Sequence, residues 1–126
     1  MCLRRISLSM VLFLIISLLM GCSGGSYKIS KGDIKASDNS INGNYGSFTG
    51  NYFKKVKFEK NEDIKFDFEI SNIKGKISAK VKDSQENTVA EIDKSKLVKM
   101  DKADTYTIQV EGENHEGGFV LTWNVN

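Results

Sequence analysis

Ile64-Lys65-Phe66-Asp67-Phe68-Glu69-Ile70 alternates apolar and charged residues without a break. Successive side chains of an extended chain leave opposite faces. The period of two therefore puts Ile64, Phe66, Phe68 and Ile70 on a dry face and Lys65, Asp67 and Glu69 on a wet one. A helix would scatter the same residues around its axis. The stretch reads as a half-buried strand, and its neighbours repeat the pattern. Phe53, Val56 and Phe58 run with Lys55 and Lys57 outward and a bulge near Lys54, and Ile77, Ala79 and Val81 alternate with Lys76, Ser78 and Lys80. Tyr106, Ile108 and Val110 share one face, as do Phe119, Leu121, Trp123 and Val125, while Val89 to Ile92 and Leu97 to Met100 are weaker strands. Turns are expected at Asn61-Glu62-Asp63, Ser71 to Gly75 and Asp83 to Asn87, with a loop from Gly112 to Gly118. Short strands with turns about every 8–12 residues predict an all-β fold, a single antiparallel β-sandwich of jelly-roll-like or immunoglobulin-like form.

The N-terminal end is different. Arg4 and Arg5 precede an apolar run from Ile6 to Met20 broken only by Ser7, Ser9 and Ser17. That run falls short of the roughly 20 apolar residues a spanning helix needs, and its flanks fit a cleavable export signal. It ends in Leu19-Met20-Gly21-Cys22, which resembles the bacterial lipobox. The resemblance implies that the Cys22 sulfur receives a diacylglycerol and that the chain is cut before it. Residues 1–21 are then a signal helix, and the protein is held by lipid on the extracytoplasmic face of the cell membrane. Two acyl chains, at about 0.8 kcal/mol per buried methylene, anchor a small domain where one chain is marginal. An ordinary signal peptidase would want a small-x-small triplet, and Leu19 occupies its first small position.

Residues 22–45 follow as a flexible tether. They are rich in Gly, Ser, Asn and Asp, with Ile29, Ile34 and Ile41 isolated among polar neighbours. Such a composition buries little apolar area to offset a backbone ordering cost of about 1–2 kcal/mol per residue. Asp33 to Ser37 is the one segment there able to add an edge strand. Residues 46–126 form the sandwich domain.

Removal of the first 21 of 126 residues leaves 105, one core's worth of chain. Both arginines leave with the signal, so 16 lysines face 16 acidic residues and the +2 of the whole chain disappears. Neutrality excludes nucleic acid as a partner, because that interaction needs a basic footprint. Cys2 leaves with the signal and Cys22 is acylated, so the fold has no disulfide to rely on.

The closing segment, Asp104-Thr105-Tyr106-Thr107-Ile108-Gln109-Val110-Glu111-Gly112 and then Gly118-Phe119-Val120-Leu121-Thr122-Trp123, resembles the end of small bacterial pre-peptidase C-terminal-type domains. It is similar to their aromatic-x-aliphatic-x-Val-x-Gly strand followed by Gly-aromatic-x-Leu. The resemblance implies a compact jelly-roll-like sandwich without catalytic residues, serving secreted and surface proteins as an accessory or binding module. Asp104-x-Tyr106 also resembles the tyrosine corner of immunoglobulin-like sandwiches.

Candidate chemistry is sparse. Gly21-Cys22-Ser23-Gly24-Gly25 matches the Gly-x-Ser-x-Gly pattern but straddles the cleavage site, where no strand-turn-helix can form. Gly43, Gly46 and Gly50 lack the Gly-Lys-Ser/Thr of a phosphate cradle. His115, the only histidine, has no mature thiol or second histidine to join and is expected in a solvated loop. Asp101, Asp104, Glu113 and Glu116, with Glu111, bound the Tyr106 strand and form a candidate calcium set, since calcium collects loop oxygens. Tyr27, Tyr45, Tyr52 and Trp123 are candidates for an aromatic sugar platform. Trp123 keeps register with the core residues of its strand, which leaves Tyr45 and Tyr52, flanking an Asn/Gly-rich loop, as the binding candidates. Outward lysines at 55, 57, 65, 76, 80 and 82 protect sheet edges or contact anionic wall polymers. The reading is a membrane-anchored lipoprotein carrying a non-catalytic binding module that needs no cofactor. Its partners are the membrane, through Cys22, and a cell-wall glycan or a surface protein.

Overall fold

The computed structural model describes residues 23–126; the signal segment and Cys22 lie outside the described residues. The described chain is all strand and turn. β1 (Ser23–Gly24), β2 (Tyr27–Ser30) and β3 (Asp33–Ala36) are short, and β4 (Ser40–Phe58) and β5 (Asp63–Lys82) are long. β6 (Thr88–Ile92) and β7 (Ser95–Lys99) are short again, and β8 (Asp104–Val125) closes the chain.

Every pairing is antiparallel and all eight strands belong to one hydrogen-bonded sheet. β8 is its centre, with β4 on one side and β5 on the other. β1, β2 and β3 line up along the outer edge of β4, and β7 and β6 along the outer edge of β5. The sandwich comes from bending this one sheet. Asp67 pairs with Ser95, and Ala79 pairs with Ile92. Twelve extended steps from residue 67 to 79 would span roughly 40 Å at about 3.3 Å each. The three steps from 92 to 95, with two strand spacings of about 4.8 Å, reach roughly 20 Å at most. β5 therefore folds back between its two halves, and β8 and β4, laddered to it, fold with it.

Period-two patterning decides the inner face. In the first half Phe68, Leu121 and Ile41 lie in one cross-strand row and Phe66 faces Trp123. In the second half Ala79, Val110 and Tyr52 form a row, and Val81 and Ile108 the next. Both halves contribute to a single buried cluster, with Ile64, Phe66, Leu121, Val81, Tyr106, Ile108 and Val110 excluded from solvent. Gly43 serves this packing: a Cβ there would stand 2.6 Å from the Phe119 ring. Tyr106 Oη donates to the Lys102 carbonyl at 2.7 Å, the bond that the Asp104-x-Tyr106 resemblance implies.

Three expectations change. Residues 23–45, read as a tether with one edge strand, belong to the sheet instead: β1, β2 and β3 pair along β4, residues 40–45 begin β4 itself, and Ile34, Ile41 and Tyr45 join the core. Their isolated apolar residues are enough because β4, and β8 for residues 40–45, supply the hydrogen-bonding partners and apolar neighbours. The expected edge strand at Asp33 to Ser37 is present as β3. Ser71 to Gly75 and Gly112 to Gly118, read as turn and loop, are the bent middles of β5 and β8. Their glycines and polar residues absorb register shifts at Asn72/Lys74 and Lys74/Lys76 rather than end the strands.

Candidate binding groove

Where the three long strands bend, two adjacent cross-strand rows carry very different residues. One row is Gly50, Gly112 and Ile77; the next is Asn51, Glu111 and Ser78. Two of the three residues in the first row are glycines, and Gly112 is small because a Cβ would press to 2.5 Å from the Phe48 ring. At this bend a groove of about 860 Å³ is lined by residues of both rows. Ile70 and Asn72, from the other arm of β5, form part of its wall, with Thr49, Lys76 and Glu113.

The groove residues are held in place. Glu111 Oε1 accepts from Lys80 Nζ at 3.0 Å and from the Gln109 amide at 2.6 Å. Thr49 Oγ1 donates to the Asn114 side-chain oxygen at 3.2 Å and accepts from the Asn114 amide at 3.1 Å, tying β4 to β8 beside the groove. A second groove, of about 670 Å³, crosses the first half of the sheet over Asn42, Asn44, Gly118 and Val120, and shares Ile70 with the first.

The structure redistributes the residues singled out in the sequence. Tyr45 and Tyr52, expected at a binding surface, are buried and belong to the core: Tyr45 packs against Phe48, His115 and Phe119, and Tyr52 against Tyr27. Of the four candidate platform rings only Tyr27 is exposed, at 41%. It leans on Tyr52, with ring centroids 5.5 Å apart. Trp123 is in the core, as its register implies.

His115 is the larger correction. Expected in a solvated loop, it is completely buried, because the Gly112 to Gly118 segment continues β8 between β4 and β5. Its Nδ1 shares a hydrogen bond of 2.7 Å with the Tyr45 hydroxyl, and its Nε2 has no partner among the described residues. Burial lowers the ring's affinity for a proton and pushes the Tyr45 hydroxyl well above the usual tyrosine range.

The candidate calcium set is not assembled. Asp104 Oδ2 accepts from the Ser84 amide and hydroxyl, Oδ1 accepts from the Thr105 amide, and Lys102 Nζ lies 3.6 Å away. These donors hold its carboxyl below the usual range, the Ser84 amide foremost. Glu113 and Glu116 sit far along β8, in register with Lys76 and Lys74, and Asp101 is exposed at the opposite end. Among the described residues no three His, Cys, Asp or Glu side chains converge to hold a metal ion. Sequence reasoning missed Asn51, Asn72 and Ser78; their only signal was a polar residue beside a glycine-rich stretch on each of two strands.

No family model matches the sequence, and no curated protein matches it. Solved structures of similar shape do exist. A tailspike protein 4 enzymatically active domain of bacteriophage CBA120 aligns over 82% of this chain at 10% identity with a TM-score of 0.49. The alignment spans about a fifth of the tailspike chain, 19%. PliG of Aeromonas hydrophila, a periplasmic inhibitor of g-type lysozyme, aligns over 82% of this chain and 88% of its own at 10% identity, TM-score 0.45. TmCBM61, solved with β-1,4-galactotriose, aligns over 84% and 88% at 20% identity, TM-score 0.47.

Proposed function

We propose that the protein is a non-catalytic, lipid-anchored module on the extracytoplasmic face of the membrane, and that its groove binds a glycan. The observation that carries the second part is the groove's lining. Asn51, Asn72, Ser78 and Glu111 offer planar amide and carboxylate groups and a hydroxyl beside the aliphatic Ile70 and Ile77. Sugars present the same mixture, hydroxyls around a ring edge and C–H groups on its faces. A site of a few fixed polar groups on an apolar wall suits such a ligand. Glu111, already bonded by Lys80 and Gln109, acts as a fixed acceptor. The anchor rests on Leu19-Met20-Gly21-Cys22 and the signal-like run before it.

Two experiments test the two parts. The full chain in detergent is passed over a panel of immobilised wall glycans and plant polysaccharides. Retention by at least one, lost in Asn51→Ala and Asn72→Ala with the melting midpoint unchanged, is the expected result. Retention that ignores both substitutions, or no retention at all, refutes the groove. For the anchor, Cys22→Ser should abolish lipid labelling and release the chain from membranes, whereas normal labelling of the variant refutes lipidation.

A further inference from the structure

We propose that His115 is an acid-triggered latch on the bend of β8: the closed sheet accepts only the neutral ring, and protonation frees residues 112–118. The first support is the ring's setting. His115 is fully buried, Nδ1 meets the Tyr45 hydroxyl at 2.7 Å, and Nε2 meets no polar group among the described residues. Unpaired polar atoms are rare in folded interiors, and each one calls for a reason. A neutral ring leaves Nε2 unpaired in either tautomer. Protonation makes both nitrogens donors and adds a charge. Nδ1–H still finds the Tyr45 oxygen, but Nε2–H finds nothing.

No nearby charge relieves this. From β4 the ionisable group at the ring is the Tyr45 hydroxyl, and Tyr27 of β2 packs behind it on Phe48. On β8 itself Glu113 and Glu116 flank the position, each in register with a lysine of β5, Lys76 and Lys74. Among the described residues no carboxylate comes within ion-pair distance of the imidazole. Burial acts against the charged form of the ring.

The second support is where the ring sits. The β4–β8 ladder shifts register between Tyr45 and Phe48 and again between Phe48 and Gly50. The β5–β8 ladder shifts between Asn72 and Lys74 and between Lys74 and Lys76. The middle of β8 is thus loosely laddered on both sides, with the Thr49–Asn114 pair as a local substitute. Asn114, at φ 47°, and Gly117, at φ 127°, add left-handed backbone to the same seven residues. This segment can open while both outer halves of the ladder stay zipped, the signature of a local unfolding unit. Gly112 and Glu113 of the groove belong to it. That coupling to the groove rests on the binding reading above, and the latch itself does not.

Amide hydrogen exchange on the full chain in detergent micelles tests the latch, from about pH 7.5 to about pH 5 and corrected for intrinsic exchange. The opened ring should titrate at the ordinary 6.5. The opening constant of amides 112–118 should then rise about tenfold for each pH unit below that value, as proton linkage requires. Amides 64–68 and 106–110 should not follow. His115→Phe, similar in size and unable to titrate, should make the segment's opening independent of pH, and His115→Gln should do the same. A flat profile in the unsubstituted protein overturns the latch. So does a ring that titrates at its ordinary value in the folded state by NMR, a measurement that needs no variant. Glycan retention lost on acidification in the unsubstituted protein but kept in His115→Phe extends the latch to the groove. Retention at no pH refutes the groove and leaves the latch to be judged by exchange alone.

Discussion

At the scale of single residues, burial separates side chains that the sequence presents as alike. Trp123 and Tyr106 are both aromatic, both buried and both on β8, yet they stabilise differently. Trp123 fills volume opposite Phe66, so Trp123→Ala removes apolar contact and leaves a cavity, at an expected cost of about 3–5 kcal/mol. Tyr106→Phe keeps the volume and loses only the bond to the Lys102 carbonyl, an expected cost of about 1 kcal/mol. Urea unfolding of the two variants should show that gap; equal midpoints would place the indole outside the core. Tyr45, Tyr52 and His115 carry the same lesson. Each has a polar neighbour in sequence, and each is buried by contacts that the sequence alone does not show, Tyr45 with His115 and Phe119 and Tyr52 with Tyr27.

At the scale of elements, the determining feature is strand length. β4, β5 and β8 run for 19, 20 and 22 residues, well beyond the usual five or six. Such strands survive because each bends at glycines that tolerate left-handed backbone. Gly117 has φ 127°, and a Cβ there would stand 2.0 Å from the Ser71 carbonyl oxygen. Gly117→Ala should therefore cost at least about 1–3 kcal/mol. Gly24→Ala, whose Cβ would meet nothing closer than the Phe53 ring at 3.8 Å, should be close to neutral. Thermal midpoints of the pair check this; equal midpoints would mean that the bend relaxes at no cost.

At the scale of the whole molecule, folding is linked to pH in two separate ranges. His115 binds its proton less readily when folded than when unfolded. Below the unfolded value of 6.5 the unfolded chain takes up more protons, so stability falls as pH drops through that value. Asp83, held by the Asn87 amide first, and Asp104, held by the Ser84 amide first, have lowered carboxyl values. Their contribution is full above the ordinary 3.8 and is lost as pH falls below it. Denaturation midpoints measured against pH should show two descending steps. His115→Phe should remove the upper step and Asp104→Asn should reduce the lower one; a single step would show that one of the two groups is silent.

The residues themselves determine the all-β class, the inward set Ile64, Phe66, Phe68, Tyr106, Ile108, Val110, Leu121 and Trp123, and the outward lysines, since an extended backbone turns alternate side chains to opposite faces wherever it lies. Tertiary structure alone decides that Ser71 to Gly75 and Gly112 to Gly118 continue as strands, that 23–45 joins the sheet, and that a groove forms where two rows meet. The same holds for the 70-residue separation that His115 and Tyr45 span to share a proton. Those features depend on which distant segments are paired and in what register, and period-two alternation is the same for every register that keeps the apolar face inward.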